Sequence, residues 1–199
     1  MTNGIHIFDY TDTLIDFISF DEGAIIDGKM TLNDEENTDT FDFTLENWRV
    51  NDIKQRNRVV VDDPNGKSKE YIIVSIEDDF EDTTLFTCNA SYLEDLKTAR
   101  PIIPSRLESA TTKQALGYAL THVKDWQVAE ETEYGGTRTT SWTAFTNPYD
   151  LILQFCTTYS MQVDFYVELG THSIEGRYVT LRKPKRVFKG AEIVKGDNL

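Results

Sequence analysis

Residues 56-RNRVVVDDPNGKSKEYIIVSIEDD-79, followed by 83-TTLFTCNASYLEDL-96, set the architecture of this chain. Three runs of strand-forming residues, Val59–Val61, Tyr71–Ile76 and Leu85–Cys88, are separated by two polar turns. Asp63-Pro64-Asn65-Gly66 is a hairpin turn on chemical grounds, because proline presets a negative φ and Asn-Gly tolerates a left-handed one. The acidic run Glu77, Asp78, Asp79, Glu81 and Asp82 forms the second turn. Ser91, with Glu94 three residues later, fits a capping box and predicts a short helix over Tyr92–Thr98, directly after the third strand.

Upstream, the chain also reads as β. Ile5–Phe8 is a short strand and Leu14–Phe20 a longer one, while Asp27-Gly28 is a turn dipeptide suited to positive φ. Thr38–Glu46 alternates, with Phe41, Phe43 and Leu45 on one side and Thr40, Asp42, Thr44 and Glu46 on the other, as in a half-buried strand. Short strands with a turn every ten residues or so predict a small antiparallel barrel or sandwich.

Downstream the pattern mixes helix and strand. Thr111 and Gln114 repeat the capping box and open a helix to about His122, with Ala115, Leu116, Ala119, Leu120 and Val123 on one face. Trp126–Val128 and Ser141–Thr143 are short strands around a Gly135-Gly136 loop. Asn147-Pro148 supplies an N-cap and an N1 proline for a helix to about Tyr159. Gln162–Leu169 and Arg177–Leu181 return as paired strands, and Val187–Leu199 closes on GDNL like a cut between domains. The reading is α+β: a small antiparallel β-barrel over 1–98, an α/β lobe with two helices over 99–160, and a β segment over 161–199 that leads into a second barrel.

A hydrophobic fraction of 39% with 12% aromatics argues for a packed core despite a net charge of −14. Residues 1–99 hold 23 Asp and Glu against 8 Lys and Arg, whereas residues 100–199 hold 11 against 12. So acidic a first half repels phosphates and argues against specific nucleic-acid binding there. The tail Arg177–Lys195 is basic and reads as a polar strand face, with a phosphate-contact patch as the alternative. No apolar run approaches the length of a membrane span, and the N-terminus lacks the features of a secretory signal, so no membrane anchor is expected.

Candidates for chemistry are sparse. The carboxylates at Glu77–Asp82 lack the spacing of a calcium loop and read as a solvated turn. His6, His122 and His172 share no metal-ligand spacing. Cys88 and Cys156 lie 68 positions apart with no CxxC; buried thiols are the default reading and a disulfide stays open. Trp48, Trp126 and Trp142 read as core or interface anchors, with a sugar-stacking platform as the alternative. Phosphate-cradling glycine motifs and a nucleophile elbow are missing from the sequence. No enzyme, cofactor or metal is expected, and no residue is assigned to a catalytic site.

Taken in order, the landmarks resemble a known family. An opening strand with IFD, RNRVVVDDPNGKSKEYIIVSIEDD, the strand into SYLEDL, the TTKQAL helix, a tryptophan strand, FTNPYDLILQFC, YVTLRKP and a final GDNL follow one another as in the N-terminal region of phage minor structural proteins. These form the tail-associated lysin, or prophage tail endopeptidase, family of long-tailed phages of Gram-positive bacteria. The resemblance implies similarity to the central hub of the T-even phage baseplate: a homotrimeric ring at the virion tail tip that closes the tail tube. It also implies docking on the distal tail protein and the tape-measure protein, with transient, non-specific passage of DNA. The cell-wall hydrolase of that family lies in C-terminal extensions, which this chain does not match. A carbohydrate- or receptor-binding module, resting on the tryptophans, is the rival reading, and a hydrolase using the carboxylates is a third.

Overall fold

The structure, a computed structural model, describes residues 4–33, 38–50, 52–78 and 82–184. The chain opens with β1 (Gly4–Phe8), β2 (Leu14–Ser19), a 3₁₀ turn at Phe20–Glu22, β3 (Ile25–Asn33) and β4 (Thr38–Glu46). A second 3₁₀ turn at Asn47–Arg49 leads to β5 (Arg58–Asp62), β6 (Ser68–Asp78) and β7 (Thr83–Ala90). All seven strands form one antiparallel sheet in the order β2-β1-β5-β6-β7-β4-β3.

The β5–β6 hairpin follows its turn chemistry. Gly66 sits at φ 76°, and the Asp63 carboxylate accepts the Asn65 and Lys67 N–H groups at 2.8 and 2.9 Å. Phe41, Phe43 and Leu45 turn inward as their alternation predicts, and Phe43 stacks on Phe86 with ring centroids 4.7 Å apart. Val59 and Val61 join that core, while Val60, on the opposite face, packs with Phe8, Val167 and Ile174. The unbroken Val-Val-Val run is thus the mark of a strand covered on both faces.

Three local expectations change. Asp27-Gly28 is not a turn: β3 runs through it, opposite Thr44 and Phe43, after a bulge between Ile25 and Asp27. The corner lies earlier, where Gly23 takes φ 74°. Pairing along the whole of β4 overrides the local preference of the dipeptide. Ser91 is not a cap either. β7 extends to Ala90, which takes the N-cap position of α1 (Ser91–Thr98), so Ser91 falls in the first helical turn with its hydroxyl buried and unpartnered.

The third concerns closure. In place of a closed ladder, β2 and β3 are the two ends of the strand order. The 3₁₀ corner at Phe20–Glu22 carries the chain from one end to the other, and Arg49 fastens it. Its guanidinium pairs with Asp16 on β2 and donates to Glu22 at 2.8 Å and to the Phe17 carbonyl at 3.1 Å. Arg49 thus ties β2 and the corner to the turn that follows β4.

Beyond α1 come β8 (Ser105–Thr111), α2 (Thr112–Ala119), β9 (Trp126–Val128), β10 (Thr137–Trp142), α3 (Pro148–Tyr159), β11 (Gln162–Leu169) and β12 (Ile174–Arg182). β10 pairs with β8, and β12 lies between antiparallel β11 and parallel β9. The Thr111/Gln114 capping box is present in full, and Asn147 caps α3 by accepting the Asp150 N–H at 2.8 Å. α2 ends at Ala119, short of His122, and Leu120 is its C-cap. β8, with only Leu107 and Ala110 apolar, carried too weak an alternation to be read as a strand. The three helices bury Leu96, Leu116, Leu151 and Phe155 against Trp126, Trp142 and β12. Tyr92 and Leu93 of α1 touch both this core and that of the large sheet, so α1 pins the two together. Residues 185–199 of the segment expected to lead into a second barrel, the GDNL end included, lie outside the described residues.

Candidate functional site

The densest polar constellation lies where the β11–β12 hairpin crosses the outer face of the large sheet. Arg177 of β12 is its centre, almost fully buried. Its Nε and Nη2 donate to Glu70 at 2.8 and 2.7 Å, and Nη1 and Nη2 donate to Asp12 at 2.8 and 2.6 Å. Arg58 of β5 approaches Glu70 at 3.2 Å and Asp95 of α1 at 3.3 Å, and Trp126 Nε1 donates to Asp95 at 3.1 Å. Burial works against the Arg177 charge, but Asp12 and Glu70 outweigh it and hold the guanidinium protonated.

A second ion cluster flanks the first. Lys67 and Lys69 donate to Asp164 of β11 at 2.9 and 2.5 Å, and Lys69 also reaches the Phe165 carbonyl at 2.6 Å. Burial pushes the Asp164 carboxyl up, but the two ammonium groups bring it below the usual carboxylate range. Deeper in, Tyr71 and Tyr92 both donate to Asp39, at 3.1 and 3.0 Å, and burial together with that carboxylate drives both phenols well above their ordinary pKa. The cavity beside them, lined by Asp39, Ser91, Tyr92 and Phe165, measures about 10 Å³, the space of a single water. Backbone bonds complete the joint: Leu14 N–H to His172 O, and Ile174 N–H to Asp12 O. The charges here are matched by neighbours, so the arrangement holds the two lobes in register.

The residues weighed from sequence are dispersed. Glu77, Asp78 and Asp82 stay at the rim of the large sheet; Asp79 and Glu81 lie outside the described residues. His6 is on β1, His122 follows α2 and His172 sits at the β11–β12 turn, and no cluster of metal-ligating side chains forms among the described residues. Trp126 and Trp142 are core residues at 4% and 6% exposure, which leaves Trp48, at 60%, as the exposed tryptophan and removes the basis of a three-ring sugar platform. Cys88 and Cys156 are free thiols. Burial raises the Cys88 thiol far above its ordinary value and pushes Cys156 to about 11, so both are poor nucleophiles. Arg177, read from sequence as part of a polar strand face with a phosphate-contact patch as the alternative, is instead the centre of the buried network.

His6, on β1 and outside both clusters, is a buried titratable group with an ordinary pKa near neutrality. Its Nδ1 is buried without a partner and its ring lies 4.6 Å from Phe17. Burial lowers its pKa from 6.5, with Asp62 partly opposing. A depressed pKa means the unfolded chain binds the proton more readily, so the stability from neutral His6 is full above 6.5 and is lost as pH falls through the folded value. Thermal melts at about pH 7.5 and about pH 5.5 are expected to show a smaller acid-induced drop in Tm for His6→Gln than for the wild type. An unchanged drop would place the pH dependence elsewhere.

No family model and no curated protein matches this chain in sequence. Solved structures do match in fold. Prophage tail protein gp18 from Listeria monocytogenes EGD-e aligns with a TM-score of 0.58 and 12% identity, over 94% of this chain and 52% of that one. A tail protein from Neisseria meningitidis MC58 aligns with a TM-score of 0.55 and 9% identity, over 88% of this chain and 49% of that one. The chain therefore has the fold of these tail proteins and spans about half the length of each.

Proposed function

We propose that this chain is a structural, non-enzymatic module of a phage or prophage tail, placed at the tail tip as part of a baseplate hub. The observation that carries the reading is the fold shared over 94% of the chain with a prophage tail protein. The buried ion network supports it, because fully matched charges across a lobe junction suit a rigid wall better than a moving catalyst. In the hub reading the sheet contributes to a small barrel, three copies surround the tail tube, and the ring docks on the distal tail and tape-measure proteins. The acidic first half then faces passing DNA with like charge, which lets the polymer slide.

Electron microscopy of tails assembled with and without the full-length protein tests the placement. The expected result is threefold density at the tip that is lost on deletion and labelled by an antibody to this chain. Labelling along the tube or on side fibres would refute the hub placement, and peptidoglycan release by the isolated chain would refute the non-enzymatic reading.

A further inference from the structure

The two ends of the seven-stranded sheet are protected unequally. Along β2, the Leu14 N–H is taken by His172, Thr13 bridges Ser173, and the Phe17 carbonyl accepts from Arg49. Among the described residues β3 has no such cover. Ile26, Asp27, Gly28 and Lys29 are all exposed, and the Gly28 N–H is held by the carboxylate of its own neighbour Asp27 at 2.8 Å. A nine-residue edge strand without proline is a template for further pairing unless something blunts it.

The stretch Ile26-Asp27-Gly28-Lys29-Met30 is self-complementary when read antiparallel. Rotation of a second copy about Gly28 sets Asp27 opposite Lys29, Lys29 opposite Asp27, and Ile26 opposite Met30. Asp27 and Lys29 are paired with Thr44 and Asp42 of β4 and share one face of the sheet, so both ion pairs form on that face. Glycine at the axis carries no side chain to hold the strands apart. The pairing exchanges the local Asp27–Gly28 bond for an intermolecular one and frees the carboxylate for the opposing lysine.

We propose that β3 pairs with β3 of a second copy about a twofold axis through Gly28, joining two sheets into one. The contact goes beyond the tail reading and does not depend on it: an isologous patch is satisfied by one partner, so a threefold ring would use a different surface.

Sedimentation velocity over a concentration series tests it with charge swaps. The wild type is expected to dimerise, and D27K and K29D each to weaken the dimer by roughly tenfold, because two attractive cross-strand pairs become two repulsive ones. The double variant D27K/K29D restores the complementary pattern and is expected to restore the dimer. Amide exchange in wild-type β3 should slow as concentration rises, a readout that requires no variant. A monomer or a trimer at every concentration, a dimer indifferent to the swaps, or a double variant no better than the singles would each overturn the proposal.

Discussion

Glu70→Ala is expected to cost about 3–5 kcal/mol of unfolding free energy, the range for removing one partner from a buried ion network. Glu70 is completely buried and faces two guanidinium groups, Arg177 at 2.7 Å and Arg58 at 3.2 Å. Its removal leaves Arg177 with only the partly exposed Asp12, and Arg58 with Asp95 and a distant Asp12. The cost comes chiefly from the uncompensated cations and not from the lost attraction, and a second variant separates the two. In Glu70→Leu combined with Arg177→Met both charges disappear, and stability should recover most of the loss. Urea titrations of the four members of this cycle measure it. If the double variant is as unstable as the sum of the singles, Glu70 and Arg177 contribute independently and their mutual neutralisation is not what stabilises the junction.

Phe155→Ala is expected to have a comparable effect, about 3–5 kcal/mol, for a different reason. Phe155 is fully buried on α3, its ring set edge-on to Trp142 with centroids 6.3 Å apart. Truncation leaves a cavity among Leu116, Leu151 and Trp142 that the capped helix cannot readily collapse into. The melting temperature should fall by roughly 10 °C in a chain of this size. Because α1 touches both cores and Arg177 ties β12 to β6, the loss should appear as one earlier transition. Near-ultraviolet signals from the tryptophans and far-ultraviolet signals from the large sheet would then shift together. Separate transitions would show that the lobes fold independently.

Features whose cause lies within a few residues were legible in advance. Gly66 must accept positive φ, Thr111 and Gln114 cap each other across three positions, and Asn147-Pro148 starts a helix whatever surrounds it. The inward stripe of Phe41, Phe43 and Leu45 followed from period-two alternation alone. Where local chemistry was ambiguous, pairing overrode it. Asp27-Gly28 suits a turn but lies opposite β4, and Ser91 has the right neighbour for a cap but follows a strand that ends two residues beyond the Leu85–Cys88 run.

The polar junction was not legible, and the reason is distance along the chain. Arg177 meets Glu70 across 107 positions and Asp12 across 165. Each of the three looks like an ordinary surface charge in its own strand or loop. One signal was present: Glu70 follows the lobe-facing parity of Val60, its partner in β5, on a strand whose valines are buried on both faces. A charged residue at such a position requires a partner, but its identity depends on which hairpin crosses that face.

Composition and local pattern therefore specified an acidic α+β chain with its turns, caps and inward stripes, since those depend on φ preferences and side-chain periodicity within a few residues. Folding in three dimensions added the strand order of the sheet, the Arg49 tie between β2 and the turn after β4, the cover over β2 that β3 lacks among the described residues, and the convergence of Asp12, Glu70, Asp95, Arg58 and Arg177. Those features arise from long-range contacts, whose closure no local preference encodes.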